Sequence, residues 1–346
     1  MNIKKVVAII SVLVVSALII YGYLLYRDIF SSNTNFAGKE TYVYVPTNST
    51  YDDVVALVAP VVKDIDKFKS VAEKKSYPAN VRAGRFLIRR GMNSNDIVNS
   101  LRQNVPVKLS FNNQERLEDL AGRIGSQIEA DSTQLMAAFT DQRFLNDTGF
   151  TRANVLSLFI PNSYEFYWNT SAEKFRDRMA REYRAFWTDE RKALAEKQGL
   201  NLQQVSVLAS IVHKETVKQD ERPRVAGVYL NRLRKGMKLE ADPTVIFAIK
   251  HQENDYGRVI KRVLYKDLEI DSPYNTYKYE GIPPGPIAMP DISALEAVLN
   301  PEAHNYIYFC ASVERFGYHE FATTLAGHEA NRRKYVAWIN SQGIKR

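Results

Sequence analysis

Cysteine is almost absent from this chain. Cys310 is the only one in 346 residues, so no disulfide can form within the chain, and cysteine gives no reading of the redox compartment. Signatures that rest on a few fixed residues are missing too. There is no His-Glu-x-x-His pair for zinc, no Gly-x-Ser-x-Gly elbow and no glycine loop for phosphate. No zinc-ligand spacing or basic helix points to nucleic acid. Neither an internal repeat nor a low-complexity tract interrupts the chain. The reading therefore calls for no metal, no cofactor and no nucleic acid. The formal charge of +8 is read as a solvated basic surface, with affinity for anionic headgroups or acidic polymers as the alternative.

One long hydrophobic run is present. Residues 6–26 are almost continuously apolar, follow Lys4 and Lys5, and are long enough to cross a bilayer. The positive-inside rule keeps the N-terminus in the cytoplasm and exports the remainder. A cleaved signal peptide would have a shorter apolar core and a small-x-small site before Arg27-Asp28. None stands there, so residues 1–30 are expected to form a cytoplasmic tail and an uncleaved single-pass transmembrane helix.

A polar linker follows over 31–39. Residues 41–45 alternate like a strand, and a helix is expected from 48 to 61 with Asp52 and Asp53 near its positive end. A second helix over 64–75, a returning strand over 83–89 and a helix capped near Asn93 complete a small module spanning 40–105. Residues 105–111 read as a strand. Helices are expected over 113–128, 132–139 and 171–195, then a short helix over 293–299, a hairpin from 306–312 to 318–321, and a closing helix over 326–341. Cys310 reads as a buried strand thiol. This mixture gives an α+β class, with the larger domain over 106–346.

The stretch Val205-Ser-Val-Leu-Ala-Ser-Ile-Val-His-Lys-Glu-Thr216 stands out. Val205, Leu208, Ile211 and Val212 share one helical face, and Glu215 continues it. His213 lies about 200° away around the helix, at roughly 100° per residue. A carboxylate on an apolar face is costly unless paired or protonated. Two readings stay open: a general acid with a raised pKa, or a glutamate paired with Arg222, Arg224, Arg232 or Arg234. Pro223 suits the first turn of the next helix, and Gly236 its stop.

Farther along come Asn231-Arg-Leu-Arg-Lys-Gly-Met-Lys-Leu239, Ala241-Asp-Pro-Thr-Val-Ile-Phe247, Tyr274-Asn-Thr-Tyr277 and Gly281-Ile-Pro-Pro-Gly-Pro-Ile287. In this order they resemble the endolytic murein transglycosylase family (MltG, YceG-like). The resemblance implies a membrane-anchored lytic transglycosylase that cuts the β-1,4 bond between N-acetylmuramic acid and N-acetylglucosamine in nascent peptidoglycan, leaving 1,6-anhydro ends. It maps the catalytic acid and base onto Glu215, with His213 where the family usually has Glu. It places Tyr274, Asn275 and Thr276 near the cleft, with Asn275 as an orienter of the acetamido group or C6 hydroxyl. Asp242 and Thr244 position the loop or Glu215, unless they merely start a helix with Asp242 as its N-cap. Arg232 pairs with an acidic neighbour. Phe159-Ile-Pro-Asn-Ser-Tyr-Glu-Phe-Tyr-Trp168 resembles another family motif, with Asn162 where Asp is usual, and assigns Tyr164 and Glu165 to a glycan groove. The module over 40–105 would be LysM-like, holding sugar or serving as a spacer. Implied partners are peptidoglycan strands, the bilayer through residues 6–26 and peptidoglycan synthases of the elongation machinery. The implied location is the cytoplasmic membrane, with the catalytic domain outside. Two other readings are a non-catalytic wall-binding scaffold and a hydrolytic muramidase using Glu165 as second carboxylate.

Overall fold

The structure is a computed structural model. It describes residues 3–341, without the side chains of 3–8, 25, 28 and 29. The tail expected before the apolar run, with Lys4 and Lys5, and residues 342–346 fall outside the described side chains. The chain divides into two compact units. The first holds residues 1–109, 127–130 and 164–171, and the second holds 110–126, 131–163 and 172–346.

The first unit opens with α1 (Ile3–Phe30). Its described apolar side chains, among them Ile9, Leu13, Leu18, Ile20 and Tyr23, are all exposed. Among the described residues no helix is long and apolar enough to cross a membrane. Next come β1 (Glu40–Val45), α2 (Tyr51–Val58), α3 (Ile65–Lys74), β2 (Gly84–Arg89) and α4 (Ser94–Ser100). Each helix start has a local cause. Thr50 and Asp53 form a reciprocal capping box on α2, while Asp64 and Asn93 cap α3 and α4. Strands β1 and β2 pair antiparallel, with Val43 opposite Phe86 and Val45 opposite Gly84. Their inward residues meet Val54, Phe68, Val71, Ile97 and Leu101 in one buried core. Outside it, Tyr44 packs edge-on against Trp168, and the Thr47 backbone N–H and hydroxyl both donate to the Glu129 carboxylate at 2.6 Å. Strand β3 (Pro106–Phe111) forms a two-stranded sheet with β4 (Asn162–Tyr167).

The second unit continues with α5 (Leu117–Gly125), α6 (Ser132–Phe139), α7 (Gln142–Thr148), α8 (Ala172–Phe186) and α9 (Asp189–Lys197). It then runs through α10 (Leu202–Glu215), α11 (Arg222–Arg234), α12 (Asp242–Glu253) and α13 (Ile292–Leu299). Strands β5 (Tyr308–Ala311) and β6 (His319–Ala322) pair antiparallel, and α14 (Leu325–Ser341) packs on them. Helix α10 is the axis of this unit. Asn201 and Gln204 cap it reciprocally, and every residue from Val205 to Val212 is buried. Helices α9, α11, α12 and α13 all contact it, so it is a central helix rather than the one-faced helix its spacing suggests. Its two serines are satisfied: Ser206 and Ser210 donate within the helix, and Ser210 Oγ also accepts the Ile287 N–H. That last bond ties the proline-rich segment to the axis.

Several sequence expectations need correction. The helix expected from 113 begins only at Leu117, after an Arg116 that chelates Asp119. The helix expected over 171–195 is two, because Thr188 caps a fresh start at Asp189. Cys310 lies in a strand as expected, but its thiol is only half-buried. Helix α7 went unread.

Among the described glycines of the second unit, Gly285 has the least room for a side chain. A Cβ there would lie 1.9 Å from the Ala153 carbonyl oxygen, and a backbone atom cannot swing aside. Gly285→Ala should destabilise by about 1–3 kcal/mol, read as a lowered melting midpoint. An unchanged midpoint would show that the 283–287 segment is not held where it is described.

Candidate active site

Glu215 is the last residue of α10. Part of the residue remains open to solvent, but its carboxyl is enclosed by protein, and that desolvation pushes its pKa up to about 7. The last turn of a helix carries negative potential, which disfavours a carboxylate there too. The enclosure is only partly offset. Tyr229, fourteen residues on in α11, donates its hydroxyl to Glu215 Oε1 at 2.5 Å, and this bond favours the ionised form. His319 and Arg232 favour it electrostatically, while Asp242 opposes it. Tyr229 is itself buried, and its own ionisation is pushed far up by burial and by Glu215, so it remains a donor.

The arginine-pair reading of Glu215 fails for a structural reason: all four candidates are committed elsewhere. Arg222 binds Asp291 at 2.6 Å, Arg224 binds Glu302 at 2.9 Å, and Arg232 binds Glu240 at 2.8 Å. Arg234 donates to Gln198 and Asn231. Among the described residues no cation lies within ion-pair distance of Glu215. Arg232 is a buried strut, donating also to the carbonyls of Ile307, Lys238 and Leu239.

Around Glu215 the supporting groups come from separate elements. Asp242 is exposed at the first residue of α12; Ala241 is the N-cap, so Asp242 does not fill that position. Tyr277 donates to Asp242 Oδ1 at 2.6 Å. Thr244 and Thr276 are buried and share a hydrogen bond of 2.8 Å, and the Ala241 N–H donates to Thr276 Oγ1. These threonines lace the start of α12 to the 274–277 loop. Asn275 is fully buried and spends its polar atoms on that loop. It donates to the Leu268 and Ile270 carbonyls and accepts the Tyr277 N–H. It therefore shapes the loop rather than presenting an amide outward. Tyr274 is buried against Phe247 with ring centroids 4.7 Å apart.

On the far side of α10, His213 Nδ1 lies 3.3 Å from Asp291, the N-cap of α13, and 3.4 Å from Arg222. His213 thus belongs to an ion cluster that joins α10 to α13. Lys214 and Lys250 share Glu115, at 2.6 and 3.0 Å. Burial works to raise the Glu115 pKa, but the two lysines outweigh it and hold it below the usual carboxylate value. Tyr164 and Glu165 belong to the first unit, and Glu215 to the second. Asn162 lines a cleft of about 600 Å³ with Asn113, Arg123 and Pro161.

Three groups escaped the sequence reading as site residues: Tyr229, His319 and Glu221. Tyr229 read as part of a buried stripe. Glu221 precedes α11 and is almost wholly buried, its side chain turned to His319 instead of the helix start: it accepts the His319 N–H at 2.7 Å and faces its Nδ1 at 2.8 Å. Burial raises Glu221, yet its bonds to His319 bring it below the usual value. No spacing rule links positions 221 and 319, so only pairing in space could reveal them.

Comparison with known proteins places this site in context. The YceG-like family profile matches residues 43–334. An endolytic murein transglycosylase of Bacillus subtilis is 29% identical over 94% of this chain and 93% of its own length. One from Streptococcus pneumoniae is 25% identical over 91% of this chain, which spans 62% of that longer protein. A solved YceG-like protein of Listeria monocytogenes superposes with a TM-score of 0.57 at 28% identity, covering 85% of this chain and 99% of that one.

The raised Glu215 pKa fixes a stability signature. Its pKa rises from an ordinary 4.5 to about 7 on folding, so the folded state binds the proton more tightly. Below pH 4.5 both states are protonated and folding bears no cost. Between 4.5 and 7 the unfolded state ionises first, so stability falls as pH rises, and the loss levels off above 7. Glu215→Gln should therefore be more stable than wild type at pH well above 7, by on the order of 3 kcal/mol, with the advantage vanishing in acid. Melts across this range check it; a pH-independent difference would contradict the enclosed carboxyl.

Proposed function

The chain belongs to the YceG-like family, and on that footing we propose that it is a peptidoglycan lytic transglycosylase in which Glu215 acts first as general acid and then as general base. The observation that carries this is one enclosed carboxyl whose pKa is raised to about 7. Such a group is protonated often enough to give a proton and ionised often enough to take one at neutral pH. In the first role it protonates the O4 leaving oxygen of N-acetylglucosamine as the bond to the muramic C1 breaks. In the second its carboxylate takes the proton of the muramic C6 hydroxyl, whose oxygen bonds to C1. Atoms and charge balance without water, and an internal nucleophile avoids the entropy cost of recruiting one. The Tyr229 hydroxyl, 2.5 Å away, steadies the carboxylate between the two steps.

A hydrolytic reading has one observation in its favour. Asp242 lies within electrostatic reach of Glu215, and paired carboxylates serve ordinary glycosidases. The product distinguishes the two. Glu215→Gln should lower anhydro-muropeptide release by about 10²–10⁴-fold, the usual worth of a general acid–base group, while the protein stays folded. Reducing ends from the wild type would favour Asp242 and hydrolysis. Near wild-type release by a folded Gln variant would remove Glu215 from the mechanism, and intact strands from the wild type would leave the scaffold reading.

The further parts of the proposal concern location and the first unit. An uncleaved span over residues 6–26 would hold the enzyme at the outer face of the cytoplasmic membrane, beside nascent strands and the synthases that make them. The exposed apolar side chains of α1 support this, because such a surface is costly in water. The order β1, α2, α3, β2 supports the LysM-like reading of the module. The full-length protein should resist alkaline extraction from membranes, with its C-terminus reachable by protease only from outside. A soluble mature form lacking roughly the first 30 residues, the upper length of a signal peptide, would contradict the anchor.

A further inference from the structure

The hairpin between β5 and β6 is docked on the segment that leaves Glu215. Tyr318 donates its hydroxyl to Asp220 at 3.1 and 3.3 Å, and His319 is held twice by Glu221. Gly317, at φ +80°, turns the tip so closely that a Cβ there would lie 3.1 Å from Lys218 Cε. Two cations gather on the Tyr318 ring: Arg315 at 3.9 Å and Lys218 at 5.1 Å from its centroid. Among the described residues neither has a carboxylate partner. Other cations nearer the core of the unit, Arg222, Arg232 and Lys250, are paired. Beside them stand two apolar side chains turned to solvent, Val217 at 82% and Phe316 at 90% exposure.

We propose that this lip, formed by Lys218, Arg315, Phe316 and Val217, binds the carboxylate-bearing peptide side chains of the glycan substrate beside Glu215. The proposal rests on the functional reading above. Charge complementarity argues for that occupant, since the peptides of peptidoglycan carry free carboxylates while its sugar backbone carries few. Both cations are oriented by the tyrosine face, so their donors need little ordering to meet an anion. Phe316 offers an apolar face to the peptide or to a sugar ring, and a side chain so exposed contributes nothing to the core. The lip makes the enzyme prefer strands that bear peptides over bare glycan.

The test compares two substrates: strands carrying peptides, and the same strands stripped of peptide by an amidase. Full-length wild type should show the higher kcat/KM on peptide-bearing strands, with the preference weakened by salt. The double variant Lys218→Gln, Arg315→Gln should lower that kcat/KM about tenfold, two exposed charge contacts' worth, and through KM rather than kcat. Its preference ratio should fall towards one. Arg315→Lys, with the charge retained, should keep most of the preference, and unchanged melting shows the hairpin intact. Equal use of both substrates by the wild type, with anhydro ends formed from each, would overturn the lip and leave the functional reading standing. A preserved ratio in the folded double variant would overturn it as well, as would a loss confined to kcat. Should the double variant lose binding to phosphatidylglycerol vesicles while keeping its strand preference, the lip would belong to lipid instead. No anhydro ends from either substrate would defeat the functional reading and the lip with it.

Discussion

The desolvation of one carboxyl sets the terms for the rest of the second unit. Glu215 sits where a buried helix ends, and water is largely kept from its oxygens. An ionised carboxylate there would be expensive without a partner, and the fold supplies a neutral donor instead of a cation. A salt bridge would have lowered the pKa into the ordinary carboxylate range and left a permanent anion. The Tyr229 hydroxyl stabilises the anion less than an ammonium or guanidinium would, so both protonation states remain accessible. The four arginines that could have paired with it by sequence are each bound elsewhere.

Those commitments also build the scaffold. Arg222 joins α11 to the cap of α13, and His213 joins the same cluster from α10. Arg232 ties the end of α11 to Ile307, the residue before β5, and to the 238–240 loop. Glu115 binds α10 and α12 through one lysine from each. A residue that differs from its family's usual type, His213, thus falls in the structural cluster and away from the proposed chemistry. Partly buried ion pairs add little net stability, because desolvation offsets attraction, but breaking one leaves a costly charge. Their value here is geometric: they fix the elements that surround Glu215.

The 274–277 and 283–287 segments show how loops without regular structure are held. Asn275 closes its own turn with three hydrogen bonds, Thr276 bonds to Thr244 and Ala241, and Ile287 is tied to Ser210 in the middle of α10. Prolines remove donors from the second segment, and the Ile287 N–H that remains is used for anchorage. Asn275, Thr276 and Thr244 thereby each hold loop backbone or its neighbours. Asp242, Val217 and Phe316 face outward.

The sequence alone determined six of the helix starts, because Thr50, Asp64, Asn93, Asp131, Asn201 and Asp291 act on their own next turn. It also placed Glu215 on the apolar side of its helix, since a period of 3.6 is a local property, and the order of short motifs gave the family. It misjudged α10 as one-faced and ran two helices together at Thr188, because contacts from other elements and a single cap decided those points. Most of what surrounds Glu215 was illegible. Tyr229, Tyr277 and His319 come from α11, a loop and β6, and no periodicity relates them, while Asp242 was reached only through the family resemblance. Whether a glutamate at that place is a paired surface anion or an enclosed acid depends on which partners fold against it. That is a matter of desolvation and distance in three dimensions, which only the tertiary structure fixes.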